Sequence, residues 1–299
     1  MNLLAALSQP SLAPPVGKKL STGLSILNYA LSGDVSYGLD SGSVVMVSGD
    51  TNSGRTTFGL TVLAEAAINV LFDQYTLVYF DTEGKAVDVR SYLGSKAADR
   101  IYMGAVNSLD AFWKYCSSAV KRVIVLDSLD GVLCPGFSSG SSWWTNNQCA
   151  KGVFDCIRSN SSILIITAQE KVIQSKKVIA GGYAPVFYSD FQLRLTYMGE
   201  YYKMRRKNRV SIGSNTSISV LKSKFDSPSR VECPSPIVVG YGYDNAVSLL
   251  TFLRRRGRVI ERDGEYLFPE FGCRGDYNAM IRFCREYEQI LAYKIKDWV

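Results

Sequence analysis

The chain has 299 residues, 46% hydrophobic and 12% aromatic, with 34 Lys and Arg against 27 Asp and Glu; its net charge is +7 and it contains no histidine. That composition excludes a disordered polymer, and the missing imidazole excludes histidine zinc sites, Ser-His-Asp and Cys-His nucleophiles, and histidine acid–base chemistry. Seven scattered cysteines without a CxxC pair argue against a disulfide framework and for a reducing compartment, and no apolar run approaches the ~20 residues of a membrane helix, so no membrane partner is expected.

Residues 1–19 form a Ser/Pro-containing lead with an apolar patch (Leu3, Leu4, Ala5, Ala6, Leu7), a candidate subunit contact and not a convincing signal peptide. Residues 44–48 read as a buried strand, followed by a glycine-rich loop and a helix over about 56–71. Further strands are expected over 76–80, ending in Asp81, over 123–126, ending in Asp127 and Ser128, and over 163–167, followed by Gln169. Short apolar strands alternating with helices imply a mostly parallel sheet covered on both faces, with ligands at the edge where the strands end. Two segments break the pattern and read as long irregular functional loops: 134–147, with Trp143 and Trp144, and 170–188, with three lysines and the pair Gly181-Gly182. The basic run 203–209 suits a solvated hairpin tip. Beyond Pro234 a smaller module is expected, with helices over 245–255 and 277–294. Arg254, Arg255, Arg256 and Arg258 sit at the end of the first, where the helix dipole favours cations. The expected organisation is a lead (1–19), an α/β core (20–233) and a small α+β C-terminal domain (234–299).

Gly49, Asp50, Thr51, Asn52, Ser53, Gly54, Arg55 and Thr56, with Thr57 next, fit the pattern G-x-x-x-x-G-K-[ST] except that arginine stands at the lysine. A strand before and a helix after are the context of a phosphate-binding loop. Glycines let backbone N–H groups converge on phosphate oxygens, and the helix N-terminus adds positive potential. Thr56 would ligate Mg2+ and Arg55 would supply the cation; the plainer reading is a glycine-rich turn. Asp127 is the expected magnesium-supporting carboxylate, and Glu83 is placed to orient an attacking water or to be a solvated loop carboxylate.

With these residues in place, the sequence resembles the RecA/UvsX family of ATP-dependent DNA strand-exchange proteins from about residue 20 to 268. The blocks are Ser21-Thr22-Gly23, the phosphate loop, Asp81-Thr82-Glu83, VIVLDS (123–128), ILIITAQ (163–169), GGYAPVFYSDFQLRL (181–195), VLKSKFDSP (220–228) and PIVVGYG (236–242). The resemblance implies a RecA-like P-loop core, ATP and Mg2+ at subunit interfaces, and a filament on single-stranded DNA that pairs with a homologous duplex. It implies a DNA-associated, cytoplasmic protein and a compact, phage-type member, which would work inside a bacterial host. By position, Glu83 would be the catalytic carboxylate, Asp127 the Walker B residue and Gln169 the γ-phosphate sensor. Lys222 and Lys224 would reach a neighbouring subunit's nucleotide. Segments 134–147 and 170–188 would bind DNA: Lys171, Lys176 and Lys177 on phosphates, Gly181 and Gly182 by close backbone approach, and Trp143, Trp144, Val172 or Ile173 between bases. The tryptophans also suit ordinary packing or a subunit contact.

Two departures stand out. Arg55 replaces a compact point charge by a bulky planar fork, so ATP binding with slow hydrolysis is expected. Gly84-Lys85-Ala86 lacks the family's usual adenine-side residues, and no adenine contact is carried over. Two rival readings are a DNA-binding or filament-modulating paralogue with a decayed P-loop, and a hexameric RecA-fold motor such as a helicase.

Overall fold

The computed structural model describes residues 17–84, 88–89, 97–106, 108–132, 147–173, 176–179, 183–205, 208–226 and 231–298. Two short strands, β1 (Lys19–Leu20) and β2 (Leu39–Asp40), pair antiparallel across helix α1 (Ser25–Ser32). The strands that follow are β3 (Val44–Gly49), β4 (Thr76–Asp81), β5 (Ile101–Gly104), β6 (Arg122–Asp127), β7 (Ile163–Ile173), β8 (Lys176–Ile179), β9 (Phe191–Arg205), β10 (Asn208–Lys222), β11 (Cys233–Pro234), β12 (Ile237–Val238) and β13 (Gly242–Tyr243). In space they form one sheet in the order β13-β12-β10-β9-β3-β7-β6-β4-β5, with β11 beside β10 and β8 beside β7. From β9 to β5 every pairing is parallel; β10, β12 and β13 extend the sheet antiparallel.

The strand sequences explain this burial. Successive side chains point to opposite faces, and both faces of a parallel sheet are covered, so the strands are apolar throughout. Val45, Val47, Leu77, Tyr79, Val123, Val125, Ile163 and Ile165 enter one hydrophobic cluster. Val44, Met46, Val78, Phe80, Ile124, Leu126, Leu164 and Ile166 enter the other. Helix α2 (Arg55–Ile68) brings Phe58, Leu60, Val62 and Leu63 to the first face. Gly59 permits its close approach, since a Cβ there would lie 2.7 Å from Val125 Cγ1. Helices α3 (Leu109–Ser117) and α4 (Asn147–Ser159) cover the second face through Phe112, Cys116, Val153, Phe154 and Ile157.

Three segments differ from the sequence-based expectation. The helix after the glycine-rich loop stops at Ile68, because the Asn69 side chain accepts a hydrogen bond from Leu71 N and starts a 3-10 turn at Val70–Phe72. The segment 170–188 is not a long irregular loop. β7 continues to Ile173 and pairs antiparallel with β8, and helix α5 (Tyr183–Tyr188) follows. β-Branched Val172, Ile173, Val178 and Ile179 favour extended backbone there, which the lysine and glycine content hides. In the C-terminal part, α6 (Asn245–Arg255) is as expected, but the helix expected over 277–294 is two, α7 (Tyr277–Glu286) and α8 (Glu288–Trp298), parted at Tyr287.

Between α6 and α7 lies a three-stranded sheet of β14 (Ile260–Arg262), β15 (Glu265–Phe268) and β16 (Cys273–Gly275). The hydrophobic cluster under α2 continues into Leu249, Leu253, Phe268, Met280, Leu291 and Trp298. Among the described residues no helix is long and apolar enough to cross a membrane, and Cys116, Cys156, Cys233, Cys273 and Cys284 are free thiols. Phe268 is fully buried, with ring centroids of Phe271, Phe283 and Trp298 at 4.8, 6.0 and 6.2 Å. Phe268→Ala is expected to destabilise the protein by about 3–5 kcal/mol, read as a lowered urea midpoint.

Candidate functional site

The parallel register brings the predicted residues to one edge. Gly49 at the end of β3 pairs with Gln169 on β7, and Asp81 at the end of β4 pairs with Asp127 at the end of β6. The loop 49–56 leaves β3 and enters α2 through two left-handed residues, Asn52 (φ 62°) and Gly54 (φ 90°). Gly49 has no room for a side chain: a Cβ would lie 2.5 Å from both Leu195 O and Ser53 Oγ. At Gly54 a Cβ would overlap Ile237 Cδ1, and the Tyr243 hydroxyl donates to Gly54 O at 3.2 Å. The loop is thus clamped between β3 and the antiparallel extension of the sheet. The α2 N-terminus has no capping side chain and no acidic residue in its first turn, so its N–H groups suit an anion. Ser53 Oγ and Arg55 Nη1 are buried and have no hydrogen-bond partner within the described protein. Two orphaned donors beside a bare helix N-terminus fit a polyphosphate.

Asp127 is 4% exposed and accepts three hydroxyl hydrogen bonds. Thr56 Oγ1 and Tyr79 OH donate to Oδ2, each at 2.6 Å, and Thr167 Oγ1 donates to Oδ1 at 2.5 Å. Burial, then the adjacent Asp127 carboxylate, push the Tyr79 phenol far above its ordinary pKa, so it remains a neutral donor. Among the described residues no group of three metal-binding His, Cys, Asp or Glu side chains is gathered. Thr56 and Asp127 nevertheless place a hydroxyl and a carboxylate oxygen side by side. That donor set fits Mg2+ completed by water and phosphate oxygens.

A hydrogen-bonded chain runs along the same edge. Ser128 Oγ donates to Glu83 Oε1 at 2.6 Å and approaches Asp130 Oδ2 at 3.3 Å. Gln169 N donates to Asp130 Oδ2 at 3.1 Å, and Gln169 Nε2 donates to Thr51 Oγ1 at 3.2 Å. Sequence reasoning missed Tyr79, Ser128, Asp130 and Thr167. Their only sequence signal is position, at or beside the ends of strands already assigned to the site. It also missed Glu170. Its carboxylate side chain is 2% exposed, receives Arg194 Nε at 2.7 Å and Ser48 Oγ at 2.9 Å, and ties β7 to β9 and β3 one residue beyond Gln169.

Lys222 and Lys224 are not brought to this edge. Lys222 pairs with Gln192 near the start of β9, at the opposite end of the parallel strands. Its Nζ donates to Ser189 O at 2.6 Å and Phe187 O at 2.9 Å, and burial holds its pKa below that of an ordinary amine. Lys224 pairs with Asp40 at 2.6 Å. Neither lysine reaches the phosphate loop of its own chain. Among the expected DNA contacts, Trp143, Trp144, Gly181 and Gly182 lie outside the described residues. Lys171, Val172 and Ile173 fall on β7 and Lys176 and Lys177 on β8, in the register Val172↔Lys177 and Ile173↔Lys176; their side chains are outside the described residues. The run 203–209 spans the end of β9 and the start of β10, with Arg209 stacked 3.8 Å over the Tyr202 ring. Arg254 pairs with Glu261, and Arg255 pairs with Glu232 at 3.1 Å.

No protein-family model matches the chain. It is 24% identical over 266 residues to Protein RecA of Wigglesworthia glossinidia brevipalpis, covering 83% of this chain and 76% of that protein. To Protein RecA of Bartonella bacilliformis it is 22% identical over 293 residues, 91% of this chain and 80% of the relative. To Protein RecA of Thermotoga maritima it is 22% identical over 249 residues, 77% and 67%. These relatives lend no support to the phage-type expectation. Sequence kinship and fold together make this chain a distant relative of the RecA family, built on a RecA-like α/β core with a mostly parallel central sheet.

Proposed function

We propose that this chain is an ATP-dependent, DNA-stimulated strand-exchange recombinase. It would assemble on single-stranded DNA in the cytoplasm, with nucleotide at subunit interfaces, and pair the bound strand with a homologous duplex. The observation that carries this reading is the single edge that gathers the phosphate loop, Glu83, Asp127 and Gln169, with Gln169 on the strand that continues into the lysine-bearing β7–β8 hairpin.

In this reading the N–H groups of residues 51–56 and the Arg55 guanidinium hold the triphosphate. Mg2+, when bound at Thr56 and Asp127, would neutralise charge on the phosphates. Glu83, held by Ser128, orients the attacking water. Gln169 links the far end of the phosphate loop to the hairpin. Lys222 and Lys224, remote from their own loop, would meet the nucleotide of an adjacent subunit. Lys171, Lys176 and Lys177 supply the cations for phosphate contacts with a single strand.

Arg55 favours a second reading, a nucleotide-binding paralogue that hydrolyses slowly or not at all. The two differ in turnover and in product. ATP turnover with single-stranded DNA is expected to fall roughly 100-fold or more in Glu83→Gln. In Arg55→Lys it is expected to rise roughly 10-fold or more; wild-type turnover as fast as that of Arg55→Lys would refute the assignment of slow hydrolysis to Arg55. Joint-molecule formation between circular single-stranded and linear duplex DNA decides the recombinase reading: DNA binding with no ATP-dependent product would leave only the paralogue.

A further inference from the structure

The phosphate loop forms one wall of a cleft of about 610 Å³. The opposite wall comes from β9, β10, β12 and the turn after β12: Tyr197, Glu200, Ser211, Ser214, Ile237 and Val239. Glu200 is out of place in a cleft whose other wall is built for anions. We propose that Glu200 reads the sugar of the bound nucleotide by accepting a hydrogen bond from the ribose 2′-hydroxyl. This rests on the reading that the phosphate loop binds a nucleoside triphosphate.

The backbone aims Glu200 at the cleft. Pairing between β9 and β10 jumps from Tyr197↔Thr216 to Glu200↔Ser214, so Met198 and Gly199 together face Asn215. This is a β-bulge, with Gly199 at φ 110° and Asn215 Nδ2 donating to Glu200 O at 3.0 Å. Bulges bend a strand and re-aim the side chains beside them. The carboxylate is then fixed by two neutral donors: Tyr197 OH reaches Oε1 at 3.0 Å, and Ser211 Oγ donates to Oε2. Those two bonds hold its pKa below the ordinary carboxylate value, so it is an ionised acceptor at neutral pH.

An ionised carboxylate accepts about four hydrogen bonds, so capacity remains on both oxygens after Tyr197 and Ser211 are counted. Among the described residues no Lys or Arg forms an ion pair with it. A phosphate cannot be its partner, because both are anionic. The part of a nucleoside triphosphate rich in donors and free of charge is the ribose. Dinucleotide-binding folds use a carboxylate in this way to read the 2′-hydroxyl. Val239, 77% exposed, leaves an apolar surface in the same cleft for the base.

The test is equilibrium binding of ATP, dATP and inorganic tripolyphosphate to the full-length wild type and to Glu200→Gln, an isosteric change at an exposed position. Wild type is expected to prefer ATP over dATP roughly tenfold, the scale of one hydrogen bond to a charged group. In Glu200→Gln that preference should fall to near unity while tripolyphosphate affinity is unchanged. A wild type that does not distinguish ATP from dATP overturns the assignment, as does a variant that keeps the wild-type preference. Equal tightening of all three ligands in the variant would mean that the carboxylate faces the phosphates, which also overturns it. Wild type binding none of the three would remove the nucleotide site itself, and this assignment with it; tripolyphosphate binding without the sugar preference separates the two failures.

Discussion

One buried carboxylate holds the site edge together. Asp127 has almost no access to water, so its charge must be met by protein donors. It meets them with hydroxyls from three different elements: Thr56 from α2, Tyr79 from β4 and Thr167 from β7. Each bond fixes one element relative to β6. Losing any donor would leave a buried acceptor under-satisfied, at about 1–3 kcal/mol. The phosphate loop, whose backbone passes through two left-handed residues, is thereby tied to a fully buried strand of the sheet. Hydroxyls suit this role in a chain without histidine, because they satisfy a carboxylate at every physiological pH without changing charge.

β7 is the element that the two expected activities share. Its side chains alternate across the sheet. Thr167 and Gln169 reach Asp127 and Thr51, while Glu170 turns the other way to Ser48 and Arg194. Ser48 immediately precedes Gly49, so the phosphate loop is braced from both faces of β7. The same strand then leaves the core and pairs with β8. β7 therefore runs unbroken as one strand from Gln169 to Ile173, between the loop edge and the hairpin.

The antiparallel extension has a separate task. Strands β9 and β10 run past the end of β3, and β12 and β13 fold back beside them. Ile237 fills the space that a Gly54 side chain would need, and Tyr243 binds the Gly54 carbonyl. The loop is therefore shaped by residues nearly 190 positions away in the chain. The apolar cluster that begins under α2 runs on through α6 to Trp298, so the segment that closes the loop is anchored by the C-terminal helices.

Much of this was legible in the sequence, for a physical reason. A buried parallel strand must be apolar, polar residues must gather where it ends, and a phosphate loop needs glycines at fixed spacing; residues 44–56, 76–83, 123–128 and 163–169 state all three locally. Segments whose hydrogen bonds close nearby, such as α6 with its Asp244 cap, were equally readable. The β7–β8 hairpin was not, because lysine and glycine content masked the β-branched pairs Val172-Ile173 and Val178-Ile179, whose partnership only pairing reveals. Tyr79, Ser128, Asp130, Thr167 and Glu170 were not either, since each matters through a partner between 39 and 122 residues away. The sequence by itself determined the alternation of strands and helices and the chemistry of the loop, because periodicity and glycine placement are local properties. Only the tertiary structure decided which strand ends meet, that Lys222 and Lys224 lie at the far end of the sheet, and that Glu200 faces the phosphate loop, because register and strand order are set by packing between segments distant in the chain.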